Sequence, residues 1–517
     1  MYTIYMQQSA NMDDGNGFVE SSVNLTYADN ATAVSKPEPA CGNATAIHNG
    51  TFFVGETYVP AFDVKHGKIG HHIGGSKPTW DVAGFVFSTD KGGSEHGSTK
   101  DAWSGIVMVD AEGFVIWYCQ NVESLNSRML QIGPFDQMAS TYDIAYGIWF
   151  SSGAGGFPYP DQDDDEYDET LTGVLVQVDA FGRTKYKLDM QCSGITNLNA
   201  VTMHEMRAIS PTELMITGFA MHAEQNFTIN GGALENNLVA SGTLNIWNSE
   251  DGVVSQIVDT WVGLNPKLTG INTCPYCDNV LAECGTQQVA VLDYMHISSA
   301  APGSDGNYLV SLRNLNMVAS INASQMDQVQ WILSSNPQTN APSIGTFAFE
   351  NEEDKFYLPH HVSQLSSDRI LLMDDGTDRP DGQNYSRAVE YEFDSDSMTA
   401  KIVWQFEWPL NMSSHMMSKH TYVDIEKKDL ESGIGNSVTR MPNGHYLVGY
   451  TDVLTAVDDD NSGSGGLRTD MIMFDVGNSG KMHSALKFQG ISLWGEGSYR
   501  AIPFPSVYGE STTCPLS

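Results

Sequence analysis

Three histidines and one arginine stand in related places along the chain: His204, His296, His361 and Arg313. Each histidine opens a stretch that runs through a polar turn into an apolar strand. His296 is followed by Ile297-Ser298-Ser299 and then by Asn307-Tyr308-Leu309-Val310-Ser311-Leu312, which ends in Arg313. His361 leads through Ser367-Asp368 to Arg369-Ile370-Leu371-Leu372-Met373 and ends in Asp374-Asp375-Gly376. Imidazole titrates at about pH 6.5, so it accepts a proton, attacks as a nucleophile or stays cationic beside an anion. Arginine adds a permanent planar cation suited to a tetrahedral oxyanion such as sulfate or phosphate. Three imidazoles and a guanidinium describe an anionic group-transfer site better than a metal site, because the arginine opposes a divalent cation. Zinc held by the three histidines is the chemical rival.

Such a site needs elements that bring distant hairpins together. From about Trp80 onward the chain reads strand, turn, strand. The stretch from Gly105 to Tyr118 returns at Gly173 to Tyr186, with looser copies at Gly242 to Gln256, Ala388 to Phe406 and Met471 to Leu486. A second hairpin type alternates with it, at His204 to Gly218, His296 to Arg313, His361 to Asp375 and Ser437 to Gly449. Two alternating hairpins make a four-stranded sheet, and radial repetition of that sheet is a β-propeller. Equivalent first residues then point to one end of the central axis, where the imidazoles converge. A long sandwich would not explain the alternation. The stretch from Ser418 to Gly433 is the one place where a short helix is expected.

The chain of 517 residues is long enough for one large all-β domain with appendages. Lys and Arg number 26 against 63 Asp and Glu, a net charge of −37, which repels nucleic acid and anionic membranes. No stretch has the roughly 18 apolar residues of a spanning helix. The first residues, Met1 to Gln8, lack the basic start and apolar middle of a signal peptide, so the start of a secreted precursor is expected upstream. Eight Asn-X-Ser/Thr triplets, at Asn24, Asn30, Asn43, Asn49, Asn226, Asn322, Asn384 and Asn411, point to an N-glycosylated, secreted or cell-surface protein. In that setting most of the seven cysteines, Cys41, Cys119, Cys192, Cys274, Cys277, Cys284 and Cys514, are expected in disulfides, the odd one left over.

Cys274-Pro275-Tyr276-Cys277 lies in a Gly/Asn/Thr loop rather than at the head of a helix, which favours a local structural disulfide over a redox motif or zinc knuckle. No cofactor is expected. Asp458 and Asp460 are weak calcium candidates, since their loop has early acidic positions but no closing glutamate; the acidic loop from Asp161 to Glu169 reads as solvated. The expected organisation is a glycosylated N-terminal arm over 1–50, a β segment over 51–100 that packs on the propeller, and the propeller itself over 101–510. The arm, rich in Asn, Ser, Thr and Ala, needs a partner to order it, either its own domain or a neighbouring copy.

Several segments, taken together, resemble the arylsulfotransferases, particularly their secreted eukaryotic branch. They are Met203-His204-Glu205-Met206, Asp293-Tyr294-Met295-His296, Asn307 to Arg313, His360-His361, Asp374-Asp375-Gly376, Ser386 to Tyr391 and Met441-Pro442-Asn443-Gly444. The resemblance covers roughly Trp80 to Pro505. It implies a six-bladed propeller that moves sulfate from a phenolic ester to a second phenol through a sulfated histidine, without a nucleotide donor. Carried over by residue, His361 is the nucleophile, His296 the acid or base for the phenolic oxygens, and His204 and Arg313 hold the sulfuryl oxygens. The family commonly has Gln-His-Asp where this chain has His360-His361-Val362, Asn at Ser298, His at Asn314 and Asn at Asp375. Adjacent strand residues face opposite sides, so His360 is the alternative nucleophile. The other functional expectation is a propeller that lost its chemistry and serves as an extracellular structural or filament-forming glycoprotein, assembling through its arm.

Overall fold

The computed structural model describes chiefly residues 70–75, 84–91, 103–120, 200–336, 345–407, 436–457, 466–493 and 500–504, with short internal breaks, and the backbone of further strands elsewhere. Asn30, Asn43, Asn49, Asn226, Asn384, Asn411, Cys41, Cys192, Cys514, Asp458, Asp460, the acidic loop at 161–169 and the helix expected within 418–433 lie outside the described residues. Asn24, Cys119 and Cys284 lie on strands of which only the backbone is described.

The chain is mostly β. Among the described residues, beside a four-stranded antiparallel sheet of Met6–Met12, Val19–Leu25, Thr51–Phe53 and Thr45–Ile47 and the pairs Phe227–Ile229 with Gly232–Leu234 and Asn279–Cys284 with Gln287–Asp293, the strands group along the chain into four-stranded antiparallel units. The first comprises Gly84–Lys91, Trp103–Asp110 and Val115–Gln120, completed by Ile502–Phe504 from the far end of the chain. The second runs from Gln131–Ile132 through Ile148–Ser152 and Val174–Val178 to Thr184–Asp189. The third is built from Ala200–Ala208, Glu213–Glu224, Asn237–Asn248 and Val254–Asp259. Ile297–Pro302, Asn307–Leu312, Met317–Asn322 and Gln328–Ser334 make the fourth. The fifth holds Pro359–Ser366, Arg369–Asp374, Arg387–Asp394 and Thr399–Glu407. Ser437–Arg440, Tyr446–Val457, Gly466–Val476 and Met482–Leu493 make the sixth, with Gly70–Gly75 added at its edge. Gly345–Phe349 runs parallel to strands on either side and joins the fourth and fifth units into one nine-stranded sheet.

Burial within a unit follows position. Arg369–Asp374 is apolar and buried almost throughout, as a strand covered on both faces must be, whereas Thr399–Glu407 alternates between buried and exposed positions. Because successive strand residues face opposite ways, Ile370 and Leu372 pack with Leu309, Val318 and Leu333 of the fourth unit. Leu371 and Met373, one step away, pack with Val448, Ile472 and Phe474 of the sixth. Phe87, Val107, Met473 and Phe488 join the sixth unit to the first. The apolar core is therefore a series of layers between units, and the first strands of units three to six lie against one another with their polar residues.

Candidate active site

The strand Pro359–Ser366 is the centre of the site, and its neighbours pin its backbone. Ser298 Oγ donates to the Pro359 carbonyl at 2.6 Å, while Ser299 Oγ accepts from the Val362 amide at 2.8 Å. One residue earlier, the Leu358 amide donates to Asn316 Oδ1 at 2.7 Å. Ser298, where the family commonly has Asn, thus ties the fourth unit to the fifth. Register shifts between His360 and Ser363, a β-bulge that interrupts strict alternation, and His361 has φ 46°. Both histidines consequently stay inside, 2 % and 5 % exposed.

Their two rings carry opposite tautomers. His360 Nδ1 faces two acceptors, Asp375 Oδ2 at 2.6 Å and the Leu358 carbonyl at 3.1 Å, so this nitrogen carries the proton. His361 Nδ1 accepts from the Val438 amide at 2.9 Å, which puts the proton of the neutral ring on Nε2. His360 therefore has its lone pair on Nε2 and His361 has a donor there. Asp375 is fully buried, and its Oδ1 accepts from Asn436 Nδ2 at 3.0 Å. Burial dominates both members of the pair. It pushes His360 below its ordinary value and Asp375 above its own, and their mutual attraction works against both shifts. Gly376, with φ +72°, turns the chain directly after Asp375, where a Cβ would run into the Tyr385 carbonyl.

His296 repeats the arrangement from the fourth unit. It has φ 44°, and its Nδ1 stands 2.5 Å from Asp293 Oδ2. The His296 carbonyl accepts from the Arg313 amide at 2.9 Å, and Asn314 Nδ2 donates to the Asp293 carbonyl at 2.6 Å. The hairpin therefore delivers an acid-supported imidazole and a guanidinium side by side. Arg313 is half-buried, with Nη1 3.2 Å from Asn314 Oδ1. From the third unit, His204 meets the His296 ring edge-on at 4.8 Å between centroids. Its imidazole is pushed well below the ordinary value, first by burial and then by His296, His360, Arg500 and Arg313. His361 is lowered in the same way, by burial and then by Arg500, Arg207 and His360.

The structure thus brings His204, His296, His360, His361 and Arg313 into one neighbourhood. Five of the six non-glycine residues with positive φ among those described, His296, Asn316, Leu358, His361 and Asn436, belong to it. Such conformations cost about 1–3 kcal/mol each and persist where the surroundings impose them. No group of three or more His, Cys, Asp or Glu side chains is arranged for a metal ion among the described residues. Beneath the site, Cys274 and Cys277 form a disulfide, with their sulfurs 3.6 Å from the Asn314 carbonyl and 3.4 Å from the Tyr294 carbonyl respectively.

A family model described as arylsulfotransferase (ASST) matches residues 84–428, two thirds of the chain, and spans every one of these histidines and Arg313. The chain belongs to the arylsulfotransferase family. The arylsulfotransferase match ends before the sixth unit, so Asn436, Val438 and Arg500 lie beyond it. Among solved structures, a hypothetical selenium-binding protein from Sulfolobus tokodaii is similar at 12% identity, over 63% of this chain and 64% of its own length, with TM-score 0.33. A periplasmic gluconolactonase from Pseudomonas aeruginosa is similar at 10% identity, over 78% of this chain and 98% of its own, with TM-score 0.31. No curated protein matches. No helix among the described residues is long and apolar enough to cross a membrane.

Sequence reasoning named the imidazoles and Arg313 but gave no role to Asp293, Asp375, Asn436 or Arg500. Asp293 and Asp375 sit inside segments already singled out. Asn436 and Arg500 carry no local pattern.

Proposed function

We propose that this arylsulfotransferase-family chain is a six-bladed propeller that transfers a sulfuryl group between phenols through a sulfohistidine, and that His360 is the nucleophile. The observation that carries the assignment is the pair of opposite tautomers. The lone pair of His360 lies on Nε2 with Asp375 behind Nδ1, whereas His361 has its Nε2 protonated while Val438 occupies Nδ1. This replaces the role carried over for His361, which becomes a hydrogen-bond donor within the site.

In the first half-reaction the Nε2 lone pair of His360 attacks sulfur, the bond from sulfur to the phenolic oxygen breaks, and its electron pair leaves on that oxygen. His296, in its imidazolium form with Asp293 compensating the charge, gives the departing oxygen a proton. In the second, neutral His296 takes the proton of the acceptor phenol, whose oxygen attacks sulfur, and the N–S pair returns to Nε2. Arg313, with His204, holds the sulfuryl oxygens as charge moves between entering and leaving groups. Asp375 fixes the tautomer and offsets the positive charge of the sulfated ring.

Secretion into an oxidising compartment is supported by the Cys274–Cys277 disulfide and the eight sequons. Asn322, one of these, closes the strand Met317–Asn322 where the chain turns.

The test is incubation with a nitrophenyl sulfate, followed by peptide mapping by mass spectrometry. A sulfuryl adduct on His360, discharged by added phenol, is expected. An adduct on His361 would overturn the nucleophile assignment, and neither adduct nor transfer with any aryl sulfate would overturn the reaction.

A further inference from the structure

We propose that Arg500 is a positioning residue of this site, gripping the strand that carries His204 from the far end of the chain. Its kinetic consequence rests on the sulfuryl-transfer reading; its structural consequence does not.

Arg500 is 2 % exposed, outside the family match, and 296 residues from His204 along the chain. Its Nη1 lies 3.3 and 3.2 Å from the two carboxylate oxygens of Glu205, itself 1 % exposed. Its Nη2 donates to the His204 carbonyl at 2.9 Å. One planar guanidinium therefore holds two successive residues, and the first of them is the site histidine. Lysine, a point charge without that fork, cannot satisfy both acceptors in the same way.

The arginine is in turn held from two sides. Two residues on, Ile502–Phe504 pairs with Gly84–Lys91 and completes the first unit. The Ala501 carbonyl accepts from Ser437 Oγ at 3.2 Å, and Ser437 precedes the residue whose amide fixes His361. The segment 500–504 thus touches the third, sixth and first units at once. Its cation also reaches both imidazoles. His204 is faced by His296, His360, Arg500 and Arg313, and His361 by Arg500, Arg207 and His360. With Glu205 already paired to it, Arg500 serves the histidines rather than the sulfate.

Removing Arg500 alone strands the Glu205 carboxylate in the interior, so the informative variants are Arg500→Lys and the double variant Arg500→Gln/Glu205→Gln. In Arg500→Lys, kcat is expected to fall about 10-fold to 100-fold with KM nearly unchanged, and the melting temperature stays close to that of the parent. In the double variant, NMR titration of isotopically labelled histidines should show His361 moving up towards its ordinary value, because after burial Arg500 is the largest charge holding it down. Parent-like kcat in Arg500→Lys, or unchanged titration curves in a folded double variant, would overturn the proposal. If the parent transfers no sulfate, the titration still decides where Arg500 acts. If the double variant does not fold, kinetics of Arg500→Lys decide the matter alone.

Discussion

His360 Nδ1 and Asp375 Oδ2 are 2.6 Å apart in a fully buried setting, and each comes from a position where the family commonly carries a different residue. Gln at the first and Asn at the second would be neutral partners. In this chain they are an imidazole and a carboxylate that meet across the hairpin joining Pro359–Ser366 to Arg369–Asp374. Where the resemblance leads one to expect an acid this chain has Val362, and the carboxylate beside the imidazole is that of Asp375, just past the second strand of the hairpin.

Asp375→Asn tests that counterpart. The amide can still face Nδ1 but cannot offset positive charge on the ring, so kcat is expected to fall about 10-fold to 100-fold while KM changes little. Steady-state kinetics with a chromogenic aryl sulfate measure the split. An unchanged kcat would remove Asp375 from the mechanism.

The pH dependence follows from the directions of three shifts. His204, His360 and His361 are all lowered, so as pH falls below about 6.5 the unfolded chain binds protons that the folded one still refuses. Stability therefore drops with pH in the window below about 6.5. Asp375 is raised and works with the opposite sign, since its stabilising protonation is gained as pH falls towards about 4. Three groups oppose one, and melting temperature measured from pH 8 to pH 5 should decline. The sulfuryl-transfer rate should persist to pH values below about 6.5, because His360 keeps its lone pair there.

The hairpin behind the site tests burial of charge. Asp374 Oδ2 takes Arg387 Nε at 2.8 Å and Arg379 Nη2 at 2.5 Å, with all three residues under 8 % exposed. Asp374→Ala leaves two buried guanidinium groups without that carboxylate, at a cost of about 3–5 kcal/mol. Denaturant unfolding of the variant reads the loss directly. A loss below about 1 kcal/mol would mean that neighbouring carbonyls suffice.

Reduction of the Cys274–Cys277 bridge should matter locally. The closed loop is short, so the chain-entropy contribution is only about 2 kcal/mol. The double variant Cys274→Ala/Cys277→Ala is expected to fold with a lower melting temperature. Because the sulfurs abut the Tyr294 and Asn314 carbonyls, the shift should be accompanied by faster amide exchange around His296 and Arg313. Exchange unchanged in that hairpin would separate the bridge from the site.

Much of this was legible in the residues. The hairpins starting at His204, His296 and His361 repeat because each unit places its first strand alike, and repetition is visible without a structure. Asp293 stands three residues before His296, close enough for a local pattern. Choosing between His360 and His361 was not legible, because it depends on a bulge and on one positive φ that together break the alternation of a strand. Nor was Arg500, whose partner lies 296 residues away and whose neighbours contain no catalytic motif. Local pattern carries strands and turns; it does not carry the docking of one unit on another.

The pairing of Ile502–Phe504 with Gly84–Lys91 has a consequence in time. A chain made from its N-terminal end exposes Gly84–Lys91 as an edge lacking its outer partner until residues 502–504, about 400 positions later, have been made. The histidines are all made by then, yet His204 waits for its clamp and the first unit for its fourth strand. Loss of a few residues around 500–504 would therefore injure both at once, leaving an open sheet edge prone to pair with a second copy and a site whose imidazoles are loosely held.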